Sequence, residues 1–135
     1  MAKKISEIEG IGPTYAENLG KAGIQTVEDL LEVGGTKSGR DKIAQASGCS
    51  DSQVLGWVNM ADLFRIKGVG GEYAELLECA GVDTVKELAQ RNATNLTTKM
   101  EEVNAEKSLV RALPAEKSVA GWIEQAKALP QKVTH

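Results

Sequence analysis

Apolar side chains recur three and four positions apart along much of the chain, as in Val54, Trp57, Val58, Ala61 and Phe64. That period gathers them on one face of an α-helix. No stretch alternates apolar and polar residues as a half-buried strand would. Helix punctuation fits the same reading. Gly12-Pro13 predicts the start of a helix over Thr14–Ala22, with proline at an early position where its missing N–H costs nothing. Gly23 and Gly81 suit helix C-caps. Thr26-Val27-Glu28-Asp29 and Thr84-Val85-Lys86-Glu87 read as capping boxes that open further helices, and Ser50-Asp51-Ser52-Gln53 does the same for the helix carrying Trp57. Pro114 predicts the start of a last helix running to about Leu129, and the tail beyond Pro130 is expected to fray.

The pattern occurs twice. Ile8-Glu9-Gly10-Ile11-Gly12 returns as Ile66-Lys67-Gly68-Val69-Gly70, and the match continues through Tyr15/Tyr73, Leu19/Leu77, Gly23/Gly81 and Leu30/Leu88. The offset is constant at 58, and 12 of the 25 aligned positions from Ile8 to Glu32 are identical. Further on, Gly56-Trp57-Val58 matches Gly121-Trp122-Ile123 at an offset of 65. About seven extra residues therefore lie in the second copy, within Asn92–Leu113. A duplication with units 1–64 and 65–135, intertwined in one compact domain, is the expected organisation.

Composition narrows the function classes. Lys plus Arg number 16 against 19 Asp plus Glu, a net charge of −3, and neither half of the chain is basic. A strong non-specific nucleic-acid binder usually carries a basic balance or stripe, so the charge opposes that function. Cys49 and Cys79 lack metal-ligand spacing, and the expectation is no metal and no cofactor. No run approaches a membrane span. Met1-Ala2-Lys3-Lys4 is followed by no apolar signal core, so a cytoplasmic location is expected. His135, the only histidine, ends the sequence and is a poor candidate for general-base work; without another, no Ser/His/Asp or Cys/His arrangement is expected in a folded interior, and no catalytic residue is assigned.

The motif apolar-x-Gly-apolar-Gly-x-x-x-Ala-x-x-Leu describes a tight turn between helices, with glycines that permit positive φ and close approach. It resembles the helix-hairpin-helix motif of many DNA-binding proteins. The resemblance implies that backbone N–H groups meet a phosphate at the positive end of the second helix. Carried over by position, the contacts would come from Gly10, Ile11 and Gly12, with Thr14 as a hydroxyl donor, and from Gly68, Val69 and Gly70 in the second copy. Members that bind DNA commonly have Lys or Arg just after the hairpin. Thr14 and Glu72 stand there instead. The first hairpin is thus expected to be the phosphate site and the second to be structural, with Lys21, Lys37, Arg40 and Lys42 as a candidate basic patch near the first. Over about residues 5–130 the arrangement also resembles a microbial family known as domain of unknown function 4332, which supports the fold and implies no activity.

The expected architecture is all-α, with tandem duplicated helix-hairpin-helix units and nine or ten short helices. The Trp57 helix is expected to double as the first helix of the second hairpin. Two functions stay open. One is non-enzymatic, sequence-independent binding to a DNA or RNA backbone. The other is a protein-interaction module that keeps the scaffold without a phosphate site. Tyr15, Tyr73, Trp57 and Trp122 are read as packing residues, with ligand contact by the tyrosines or base stacking by the tryptophans as the alternative. An enzyme would need a placed lysine that nothing singles out.

Overall fold

The computed structural model describes residues Lys3–Thr134; Met1, Ala2 and His135, and the expectations attached to them, lie outside the described residues. Eight α-helices and one 3₁₀ turn, Ile5–Glu7, are found there. The only pairing of strand type among them is an isolated bridge between Lys4 and Thr26. The helices are α1 (Pro13–Lys21), α2 (Val27–Gly34), α3 (Lys37–Ser47), α4 (Asp51–Leu63), α5 (Gly71–Cys79), α6 (Val85–Ala89), α7 (Ala93–Lys107) and α8 (Glu116–Ala128). The chain is all-helical, with fewer helices than the nine or ten expected. The extra residues near Asn92–Leu113 add no helix. They lengthen α7, capped by Asn92, and the loop between Ser108 and Ala115.

Helix starts follow local chemistry. Thr26, Thr36, Thr84 and Asn92 each accept a first-turn N–H at their side-chain oxygen. Ser50 and Gln53 exchange bonds reciprocally at the start of α4. Such caps contribute about 1 kcal/mol each. Gly23 and Gly81 follow α1 and α5 with φ of 83° and 94°, where an L side chain would be strained. The last helix begins at Glu116, two residues past Pro114.

The fold falls into two compact units. One holds Met1–Asp62 together with Lys132–His135, the other Leu63–Gln131. In the first, α3 packs on α1 and α2 over a core that includes Ile8, Leu19, Ile24, Leu30 and Ile43. In the second, α8 packs on α6 and α7, and α5 on α7, over Leu76, Leu77, Leu88, Leu96 and Met100. The fraying expected beyond Pro130 does not occur over Lys132–Thr134. Val133 is buried, and Thr134 donates its N–H to the Gly35 carbonyl at 2.8 Å.

Asp29 gives a pH-dependent test of the α2 cap. Its carboxylate accepts the N–H groups of Gln25 and Thr26, each at 3.2 Å. The Gln25 bond, joined by those of Thr26 and opposed by burial, holds the carboxyl below its ordinary value of 3.8. A lowered folded-state value means the stabilisation is present above about pH 3.8 and is lost as pH falls through the lower value. Asp29→Ala should therefore cost about 1 kcal/mol at neutral pH, in the range of a lost cap. The gap to the parent chain should close on acidification, as read from urea midpoints at several pH values; a gap independent of pH would refute this.

Candidate phosphate-binding turns

Each unit contains a glycine turn built from the same contacts. In the first, Ile11 donates its N–H to the Ile8 carbonyl at 3.1 Å, and Gly10 sits at φ +92°. In the second, Val69 donates to Ile66 at 3.1 Å, and Gly68 sits at φ +99°. Ile8, Ile11, Ile66 and Val69 are buried and anchor the turns. Positive φ makes Gly10 and Gly68 necessary for the backbone path. Gly12 and Gly70 differ. They are the N-caps of α1 and α5, with φ of −84° and −102°, values open to any residue. A Cβ at either would meet nothing within 4 Å.

Helices α1 and α5 start without a side-chain cap, as does α8, unlike α2, α3, α6 and α7. Their first-turn N–H groups are therefore left without protein side-chain acceptors, at the positive end of the helix. Pro13 removes one donor from α1, whereas Gly71 retains it in α5.

An aromatic pair braces each turn. Tyr15 packs on Trp57 with ring centroids 5.1 Å apart, and Tyr73 on Trp122 at 5.4 Å. Gln53 donates its side-chain N–H to the Tyr15 hydroxyl at 3.0 Å, and the Tyr73 hydroxyl donates to the Ala112 carbonyl at 2.9 Å. Both tryptophans are buried, the arrangement of a packing residue rather than a stacking platform. The second turn is tied down further. Lys67 N–H donates to Gln125 Oε1 at 2.9 Å, and Gln125 Nε2 donates back to the Lys67 carbonyl at 3.1 Å.

The residues singled out in the sequence separate here. Gly10, Gly12 and Thr14 lie together, exposed, around the start of α1, and Gly68 and Gly70 do so at the start of α5. The N–H groups of Ile11 and Val69 are consumed inside their turns and cannot serve a ligand. Lys21 is in the last turn of α1. At about 1.5 Å per residue, that is the far end of the helix from Gly12, where its charge suits the negative helix end. Two members of the basic patch expected near the first turn are engaged elsewhere. Arg40 is buried and bonded to main-chain carbonyls, and Lys37 pairs with Asp41 at 3.4 Å.

The cation that sequence reasoning missed is Arg111. It lies in the loop after α7 and lines a cleft of about 390 Å³ with Gly68, Gly70, Gly71, Glu72, Tyr73 and Ala112. The signal was the length difference between the copies, since the added residues include Arg111. A titratable cluster lies away from this cleft, at the end of α5. Burial first, then repulsion from Asp83 and Glu75, raises the Glu78 carboxyl, and burial likewise raises the Cys79 thiol. No group of His, Cys, Asp and Glu suited to a metal ion occurs among the described residues, and no helix among them is long and apolar enough to cross a membrane.

A family model described as domain of unknown function (DUF4332) matches residues 9–129. The chain belongs to that family. No curated protein and no solved structure matches. The DUF4332 match spans both glycine turns, both tryptophan-bearing helices and the Arg111 loop.

Proposed function

We propose that this protein is a non-enzymatic, sequence-independent binder of nucleic-acid backbone, and that its two glycine turns act as helix-hairpin-helix phosphate sites. The observation that carries this reading is the pair Gly12 and Gly70. Neither backbone conformation nor space requires glycine there. What glycine leaves is unobstructed approach to the first-turn N–H groups of α1 and α5, the chemistry that holds a phosphate at a helix N-terminus. At the second turn Arg111 adds a charge-assisted donor, so that turn joins the reading instead of serving as scaffold alone. Glu72 in the same cleft and the net charge of −3 oppose it. A protein-interaction role fits the charge. Against it, the exposed large hydrophobic residues among those described are limited to Tyr15, Val33 and Leu113, a small apolar surface for a partner.

The test is titration of a labelled DNA duplex, single-stranded DNA and RNA at 50 to 200 mM salt. Binding with Kd of about 1–100 μM is expected, weakening with salt as phosphate contacts release counterions. Gly12→Glu and Gly70→Glu should each weaken it while melting like the parent, because both positions accept a side chain. Arg111→Glu should also reduce the salt slope by about one. Absence of binding at the lowest salt would reject the nucleic-acid reading and turn the search to protein partners.

A further inference from the structure

The α2–α3 corner of the first unit is built apart from the glycine turns. Residues Lys132–Thr134 are part of the first unit although the whole of Leu63–Gln131 intervenes. Thr134 is held at both of its main-chain hydrogen-bonding groups. Thr134 N–H donates to the Gly35 carbonyl at 2.8 Å, and its hydroxyl donates to the same oxygen at 3.3 Å. Arg40 donates from Nη2 to the Thr134 carbonyl at 2.7 Å. Val133, between these contacts, is 3% exposed. A Cβ on Gly35 would stand 2.5 Å from the Lys132 carbonyl oxygen, so glycine permits backbone to lie on backbone there.

Arg40 shows that this corner is built for main chain. It is 5% exposed, and no carboxylate among the described residues pairs with it. A buried guanidinium without an acid is costly unless its N–H groups are satisfied. Here they meet carbonyls. Nη1 donates to Gly34 at 2.9 Å and to Gly35 at 3.2 Å, and Nη2 takes the third from the segment. The corner thus reads one residue's N–H and C=O, a hydroxyl, and a β-branched apolar side chain before it. Nothing in these contacts depends on the segment being covalently attached. Capture of extended chain by main-chain bonds with a pocket for one side chain is a general mode of peptide recognition.

We propose that the α2–α3 corner is a docking site for an extended apolar-Thr peptide, that Lys132–Thr134 is its intramolecular occupant, and that the same segment of a second copy of this chain is the partner that can replace it. Tethering gives the internal segment a high effective concentration. A free peptide therefore binds the parent chain weakly and binds tightly once the internal segment is displaced.

The experiment is fluorescence anisotropy with a labelled, C-terminally amidated peptide spanning Leu129–Thr134. It is added to the full parent chain and to the full chain carrying Val133→Asp, whose own segment cannot bury an aspartate. Expected are saturable binding to the variant at least tenfold tighter than to the parent, and no detectable binding of a peptide carrying the same Val133→Asp change. A variant that keeps its helical circular dichroism yet fails to bind the peptide overturns the proposal. So does a variant that binds both peptides equally. If Val133→Asp loses the helical signal, Thr134→Pro, which deletes the N–H donated to Gly35, replaces it and is judged by the same outcomes.

Discussion

Gly39→Ala should destabilise the protein by about 3 kcal/mol, the upper range for forcing extra volume into a packed contact. Inside an exposed helix the same change normally stabilises by about 0.5–1 kcal/mol, since glycine loses more backbone freedom on folding. Gly39 is the third residue of α3, and its N–H donates to the Thr36 hydroxyl that caps the helix. A Cβ there would overlap the Val33 carbonyl oxygen and stand 2.9 Å from the Val33 carbonyl carbon. Backbone cannot rotate aside as a side chain can, so relief requires α3 to shift from α2. That shift would disturb the neighbouring Arg40, which holds three main-chain carbonyls. Gly20 in α1 and Gly56 in α4 supply the controls, because a Cβ at either meets nothing within 4 Å. Gly20→Ala and Gly56→Ala should each stabilise by about 0.5–1 kcal/mol. Urea midpoints of the three variants decide the matter, and a shared sign would refute the close-approach argument.

Removing the Trp122 side chain should cost about 3–5 kcal/mol, the usual loss for a buried large aromatic truncated to alanine. Trp122 is 5% exposed and supports Tyr73. It also crowds the second turn, since a Cβ on Gly68 would lie 2.9 Å from its indole nitrogen. The corresponding distance from Gly10 to Trp57 is 3.8 Å, an ordinary contact. A double-mutant cycle separates the two turns. Gly68→Ala should be less damaging in a Trp122→Ala background than in the parent, with a coupling above about 0.5 kcal/mol. Gly10→Ala and Trp57→Ala should be close to additive, because only the positive φ of Gly10 penalises that change. Equal coupling in both cycles would show that the indole does not restrict Gly68.

These contrasts show which features a sequence can reveal. Thr26, Ser50 and Thr84 were legible as caps because each bonds an N–H three residues away. Gly23 and Gly81 were legible because positive φ is a local demand. The helical class followed from side-chain period alone. The candidate site was half legible. Gly10, Gly12 and Thr14 cluster because they are neighbours in sequence. Lys21 was misplaced because charge was read without helix length, which puts it at the opposite end of α1. Arg40 looked like a surface cation, yet its acceptor Thr134 lies 94 positions away, and no local pattern encodes such a partner. Arg111 escaped notice for a related reason. Its position over the second turn depends on where α7 ends, at Ser108 in a left-handed conformation, and on the Tyr73 bond to Ala112.

The return of Lys132–Thr134 to the first unit also affects the order in which the molecule can be finished during synthesis. At roughly 5–20 residues per second, translation of Leu63–Gln131 takes on the order of 3–14 s. Throughout that interval residues up to Asp62 exist without Thr134, so the Arg40 guanidinium is one acceptor short and the position filled by Val133 has no occupant. The nascent first unit therefore waits, locally unsealed, until the second has been made.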